Sequence, residues 1–224
     1  MKKILFLILF FQMQVFGYTR LDTFRNFGYQ YYQEKNYAEA KKYLDSCVSL
    51  DPKNSDCLYY RAMLAMDQGD YQLARLALQG AIISNQNDYA AWTQLGICHT
   101  ELKSYDTAQM CFQNAVRINS KDAKIYSNWA RNQYLKGDKS HAEQLYGTAI
   151  LMDDKNPKYF NDRAKIRTEI GMQKEAQEDI EIAENLSENK NSAENKSFNS
   201  NWFLLIFVLL FIAFFVFRRN KSKR

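Results

Sequence analysis

One pattern constrains this chain more than any other: small and bulky apolar side chains return at fixed places every 34 residues from Leu21 to Lys190. The pattern is plainest between Trp92 and Asp122. There Trp92, Leu95, Gly96 and His99 share one face of a helix-like run, and Ala108, Phe112 and Ala115 recur at spacings of four and three in a second run. A polar break, Lys103-Ser104, separates them. Gly96 and Ala108 lack bulk where two antiparallel helices would touch, while Trp92, Leu95 and Phe112 supply the volume around them. The stretch predicts a helical hairpin.

Counting in steps of 34 finds the hairpin four more times. In 21–54, Phe24, Phe27, Gly28 and Tyr31 form the first stripe and Ala40, Leu44 and Cys47 the second, with Pro52 stopping the second helix. In 55–88, Leu58, Ala62, Ala65, Ala74, Leu78 and Ala81 fit, although Arg61 stands where an apolar residue is usual, and Gly69-Asp70 makes the break. The opening stretch belongs to 89–122. In 123–156 the places are taken by Tyr126, Trp129, Ala130, Ala142, Tyr146 and Ala149, with Gly137-Asp138 as the turn. In 157–190 they are taken by Phe160, Ala164, Gly171, Ala176, Ile180 and Ala183, with Pro157 at the helix start, where proline is best accepted. The last run also carries Glu175, Glu178, Asp179, Glu181 and Glu184, read here as the polar outer face that ends an array.

Trp92, Leu95, Gly96, Ala108, Phe112 and Ala115 together resemble the tetratricopeptide-repeat signature. The resemblance implies an all-α, right-handed solenoid of five helical hairpins, and a concave groove lined by the first helix of each repeat. By position it selects Arg25, Tyr29 and Tyr32, then Tyr59, Met63 and Met66, then Thr93, Ile97 and Thr100. The fourth and fifth repeats contribute Lys124, Ser127, Arg131, Tyr134, Lys158, Asn161, Lys165 and Thr168. So read, the groove is aromatic and Met-rich first and basic later. It suits an extended protein segment with apolar anchors and an acidic portion. The family's carboxylate clamp for chaperone C-termini is not spelled here, because Arg25 and Tyr29, Met63, then Thr93 and Ile97 stand at its places.

The ends of the chain predict a membrane topology. Residues 1–17, MKKILFLILFFQMQVFG, have the basic start, apolar run and small-residue exit of a signal peptide, with an uncleaved anchor as the alternative. Residues 187–201 form a polar linker, with an end-to-end distance on the order of 20 Å as a flexible coil. Trp202–Phe217 contains no charge and no polar residue, and as a helix would rise about 24 Å against a hydrocarbon core of about 30 Å. The basic tail 218–224 favours the cytoplasmic side, which puts the repeats outside. The net charge is +5, but seven cations sit at the two ends, which leaves the body at −2 and disfavours nucleic acid as a partner. The expectation is a single-pass protein of a bacterial inner membrane, its repeats in the periplasm. The layout also resembles the repeat-bearing membrane proteins of bacterial aerotolerance (Bat) clusters.

Catalytic chemistry finds no footing: there is no phosphate-binding glycine loop, no HExxH and no nucleophile elbow, and no cofactor is implied. His99 reads as a satisfied packing histidine, and the carboxylates as solvated. The expected role is a membrane-anchored interaction scaffold. The alternatives are a non-catalytic subunit of an envelope-processing or stress complex, or a eukaryotic lumenal protein glycosylated at Asn185 and Asn195. Cys98 and Cys111 are nearly equidistant from the Lys103-Ser104 turn, and Cys47 and Cys57 bracket Pro52. Two disulfides, Cys47–Cys57 and Cys98–Cys111, or four buried thiols at tight contacts, both fit that symmetry.

Overall fold

The computed structural model describes residues 19–188. The expected signal peptide, membrane span and basic tail lie outside them, as does nearly all of the linker. Among the described residues the chain is all-α without a strand, and no helix is long and apolar enough to cross a membrane. Two compact units divide at Met152 and Asp153.

Among the described residues the first unit contains eight helices: α1 (Arg20–Gln33), α2 (Tyr37–Leu50), α3 (Ser55–Asp67), α4 (Tyr71–Ser84), α5 (Tyr89–Glu101), α6 (Tyr105–Ile118), α7 (Ala123–Lys136) and α8 (Lys139–Met152). Most of these helix starts are set by a local side-chain cap, Ser104 before α6 being an exception. Asn54, Asp88 and Asp122 cap α3, α5 and α7 by accepting from Cys57, Ala91 and Lys124 main-chain N–H groups, which satisfies donors that have no partner inside the helix. Within the hairpins, the turn residue is left-handed every time: φ is 57° at Lys35, 77° at Gly69, 58° at Lys103 and 101° at Gly137. Asp70 and Asp138 then cap the returning helices through Leu73 N–H and His141 N–H. The two lysines hold a conformation that costs an L-residue about 1–2 kcal/mol.

Close approach explains the glycines of the helix interiors. A Cβ on Gly96 would lie 2.7 Å from Phe112 Cε1, and one on Gly28 would lie 2.7 Å from Leu44 Cδ2. Phe112, Leu44, Ala40, Ala74, Ala108, Ala115 and Ala142 are fully buried. Second helices pack on the next first helix, α2 on α3, α4 on α5 and α6 on α7, and the first helices also meet directly, α1 with α3 and α5 with α7. First helices therefore stand side by side along the unit.

The second unit, within the described residues, is the hairpin of α9 (Pro157–Glu169) and α10 (173–188). Its turn contains Gly171 at φ 87°, and Tyr159, Phe160, Ala164, Ile166, Ala176 and Ala183 are buried. The expected acidic outer face holds for Glu178, Glu181 and Glu184, which are exposed. Asp179 departs from it. This carboxylate is 1% exposed and receives Arg163 Nη2 at 2.6 Å, Arg163 Nε at 2.9 Å and Arg167 Nη1 at 2.9 Å. Arg163 and Arg167 lie one turn apart on the α9 face turned to α10, so a carboxylate opposite them must be desolvated and can be tolerated only because it is paired.

Candidate partner-binding face

Two first helices, α1 and α3, and the start of α2 bring a group of aromatic rings together. Tyr29 and Tyr60 lie 4.8 Å apart, Tyr59 and Tyr60 meet edge to face at 5.7 Å, and Tyr32 and Tyr37 are 6.5 Å apart. Tyr37 Oη donates to Asp67 Oδ2 at 3.4 Å. Burial, then the hydrogen bond to Asp67, pushes the Tyr32 phenol up to about 12. Burial also raises Tyr59 and Tyr60, helped by the neighbouring Asp88 and Asp56 carboxylates respectively. These phenols are neutral throughout the physiological range and act as donors and apolar faces, not as bases.

The residues selected by position are not equally open. Tyr29 is 43% exposed. Tyr32, Tyr59, Met63 and Met66 are half-buried, and Tyr59 and Met66 pack against the core beneath. Ile97 is likewise half-buried and packs on a neighbouring cluster. Thr93 and Thr100, expected to line the groove, are buried. Thr93 Oγ1 donates to Tyr89 O, and Thr100 Oγ1 to Gly96 O and Asn132 Oδ1 at 2.9 and 3.0 Å, so these hydroxyls are used inside the fold. Tyr60 and Tyr37 were not selected, yet each meets a selected tyrosine.

The cations are engaged too. Arg25 is held between Asp22 at 3.0 Å and Asp56 at 3.2 Å, and Arg131 Nη1 lies 2.7 Å from Glu101 Oε1. In the second unit Lys158 pairs with Asp162 at 2.6 Å; Lys165 is on the exposed side of α9. The basic character expected of Arg131 and its neighbours is thus partly consumed by the chain's own carboxylates. Tyr134 on α7 is half-buried.

His99 is buried as expected, but its Nδ1 has no hydrogen-bond partner among the described residues. Burial, with the Arg75 charge adding to it, depresses its pKa, so the ring is a neutral packing element. The four cysteines divide: Cys47 and Cys57 are joined with their Cα atoms 5.9 Å apart, while Cys98 and Cys111 are buried thiols, both raised to about 12 chiefly by burial. Cys47 stands where Ala81, Ala115, Ala149 and Ala183 stand in the other repeats, so the bridge uses a buried place that alanine fills elsewhere. Asn185 lies within α10, where Ser187 Oγ donates to Ala183 O at 2.8 Å. Among the described residues no group of three His, Cys, Asp or Glu side chains converges to hold a metal ion.

Known proteins share this architecture. Two tetratricopeptide-repeat family models match residues 31–97 and 89–122. BBSome complex member BBS4 of Bos taurus is 26% identical over 147 residues, which cover 66% of this chain and 28% of that protein. The chain thus matches little more than a quarter of that relative's length. Among solved structures, MamA from Desulfovibrio magneticus RS-1 superposes with a TM-score of 0.68 at 18% identity, covering 75% of this chain and 96% of that one. PilF of Pseudomonas aeruginosa does so with a TM-score of 0.67 at 16% identity, covering 74% and 75%. The 34-residue register, the glycine-on-aromatic contact and these matches agree: residues 31–122 match tetratricopeptide repeats.

Proposed function

We propose that this protein is a repeat scaffold that holds a protein partner along the first helices of its first unit, tethered to a membrane with the repeats on the extracytoplasmic side. The observation that carries the binding face is the aromatic group of Tyr29, Tyr32, Tyr59 and Tyr60, joined by Met63 on α3. Rings held in place by mutual contact lose little entropy on binding, and a clustered aromatic patch marks contact. Similarity to a member of the BBSome complex agrees with a role as one subunit among others.

The tether rests on sequence, on the apolar Trp202–Phe217 and the basic residues after it. The Cys47–Cys57 bridge supports an oxidising compartment such as the periplasm. The resemblance to aerotolerance-cluster proteins belongs to the same proposal. In sealed membrane vesicles of known orientation, protease added outside should remove the repeats and leave an epitope fused after Arg224 intact; the reverse protection pattern would overturn the topology.

Binding is tested by a photo-reactive phenylalanine analogue placed at position 29, 60 or 83 of the full chain in its native membrane. Ile83, on α4 and 79% exposed, is the control. Discrete adducts at 29 and 60 but not at 83 are expected. Equal labelling at all three positions, or none at 29 and 60, would remove the face from consideration.

A further inference from the structure

The sequence pattern suggests a partner with an acidic portion. The charges around the aromatic face argue for the opposite sign there. The charged groups that act on Tyr32, Tyr59 and Tyr60 are Asp67, Asp88, Asp56 and Arg25. Arg25 is already shared between Asp22 and Asp56. Asp67 receives phenol hydroxyls and Asp88 caps α5 through Ala91 N–H at 3.0 Å, but neither carboxylate has a cationic partner among the described residues. Three carboxylates, Asp56, Asp67 and Asp88, therefore border these rings against one guanidinium. Arg61, also on α3, lies 3.1 Å from Asp45 of α2 and adds nothing to the balance.

We propose that the aromatic face of α1 and α3 takes an extended segment rich in lysine or arginine, its apolar side chains against Tyr29, Tyr59, Tyr60 and Met63 and its cations over the tyrosine rings beside Asp67 and Asp88. The inference rests on the binding face proposed above and deepens it by assigning the partner's charge. Two kinds of contact favour it. A cation over a tyrosine ring gains from the ring's negative face, and more where water is displaced. Uncompensated carboxylates at the edge steer a basic segment in and repel an acidic one. The acid-binding character that the later repeats were expected to supply is weakened by the pairing of Arg131 with Glu101.

The test uses the full chain in neutral detergent micelles and two peptides of identical apolar residues, Lys-Phe-Lys-Leu-Lys-Phe-Lys-Leu and its glutamate counterpart, titrated by calorimetry at low salt. The lysine peptide should bind about tenfold more tightly or better, and the double variant Asp67→Asn, Asp88→Asn should bring the two affinities together. Asparagine keeps the α5 cap and the hydrogen bond to Tyr37, so loss of folding does not confuse the result. Tighter binding of the glutamate peptide, abolished by Tyr29→Ala with Tyr60→Ala, would overturn the charge assignment and leave the face standing. Binding of either peptide that is indifferent to those tyrosines, or binding of neither, would overturn both.

Discussion

The third hairpin and the last use the same three places in the repeat for opposite chemistry. In α5 and α6 they hold Leu95, His99 and Cys111, which are buried in a largely apolar cluster or against it. In α9 and α10, two repeats on, they hold Arg163, Arg167 and Asp179, joined as a buried ion triad. The difference teaches that the register fixes which side chains meet, not what they must be. A set can change together if its volume and charge still close. It also separates two kinds of stability. The apolar set tolerates loss of one member, while the triad leaves an uncompensated buried charge when a member is removed.

Asp179→Asn should therefore give the largest effect, about 3–5 kcal/mol, seen as faster amide hydrogen exchange across 173–188 with exchange in α5 and α6 unchanged. Replacing the triad as a set, by Arg163→Leu, Arg167→Phe and Asp179→Cys, should be neutral or stabilising. If the single and triple variants lose stability equally, the two hairpins do not differ in the way argued. In the third hairpin, Gly96→Ala drives a methyl into Phe112 and should cost about 1–3 kcal/mol by overpacking. Urea unfolding followed by Trp92 and Trp129 fluorescence measures it; Gly80→Ala, which would meet only the flexible end of Leu58 at 3.1 Å, should be milder.

The turns offer a smaller contrast. Gly137→Ala forces a Cβ into a left-handed residue and should cost about 1–2 kcal/mol, while Lys103→Gly relieves that strain and should raise the thermal midpoint slightly. A fall for both would mean that the lysine side chain contributes something beyond its backbone. The smallest effect is the pH response of His99. Its folded pKa is depressed below the ordinary 6.5, so the unfolded chain binds more protons as pH drops through 6.5, and stability falls with acid there. His99→Phe should reduce the difference in midpoint between pH 7 and pH 5.5. An unchanged difference would put the acid response on other groups.

The hairpins were legible because packing positions repeat: Gly96 against Phe112 and Gly28 against Leu44 are written in residue size alone. What the sequence concealed was polar. Asp179 looked like one more acid on a solvated helix, because nothing local says that Arg163 and Arg167 face it across the turn. Thr93 and Thr100 fell at groove positions, but their hydroxyls bond within the fold, which a positional rule cannot register. Tyr60 was missed because the same rule chose its neighbour Tyr59. A signal did exist for the charges: Arg25 with Asp56 and Arg131 with Glu101 are separated by 31 and 30 residues, the offset that faces one first helix to the next, and Lys136 of α7 reaches Asp106 at the start of α6 across 30 residues.

Centrally, the aromatic face serves a partner beyond the packing that its rings give the fold. The direct measurement combines two readouts on the Tyr29→Ala, Tyr60→Ala variant: thermal stability, and the adduct formed by a photo-reactive residue at position 63. The expected result is loss of the adduct with a fall in midpoint smaller than that of Gly96→Ala, since Tyr60 also packs against the cluster of Ala40, Leu44 and Leu64. A persisting adduct, or a drop in stability as large as that of Gly96→Ala, would contradict it.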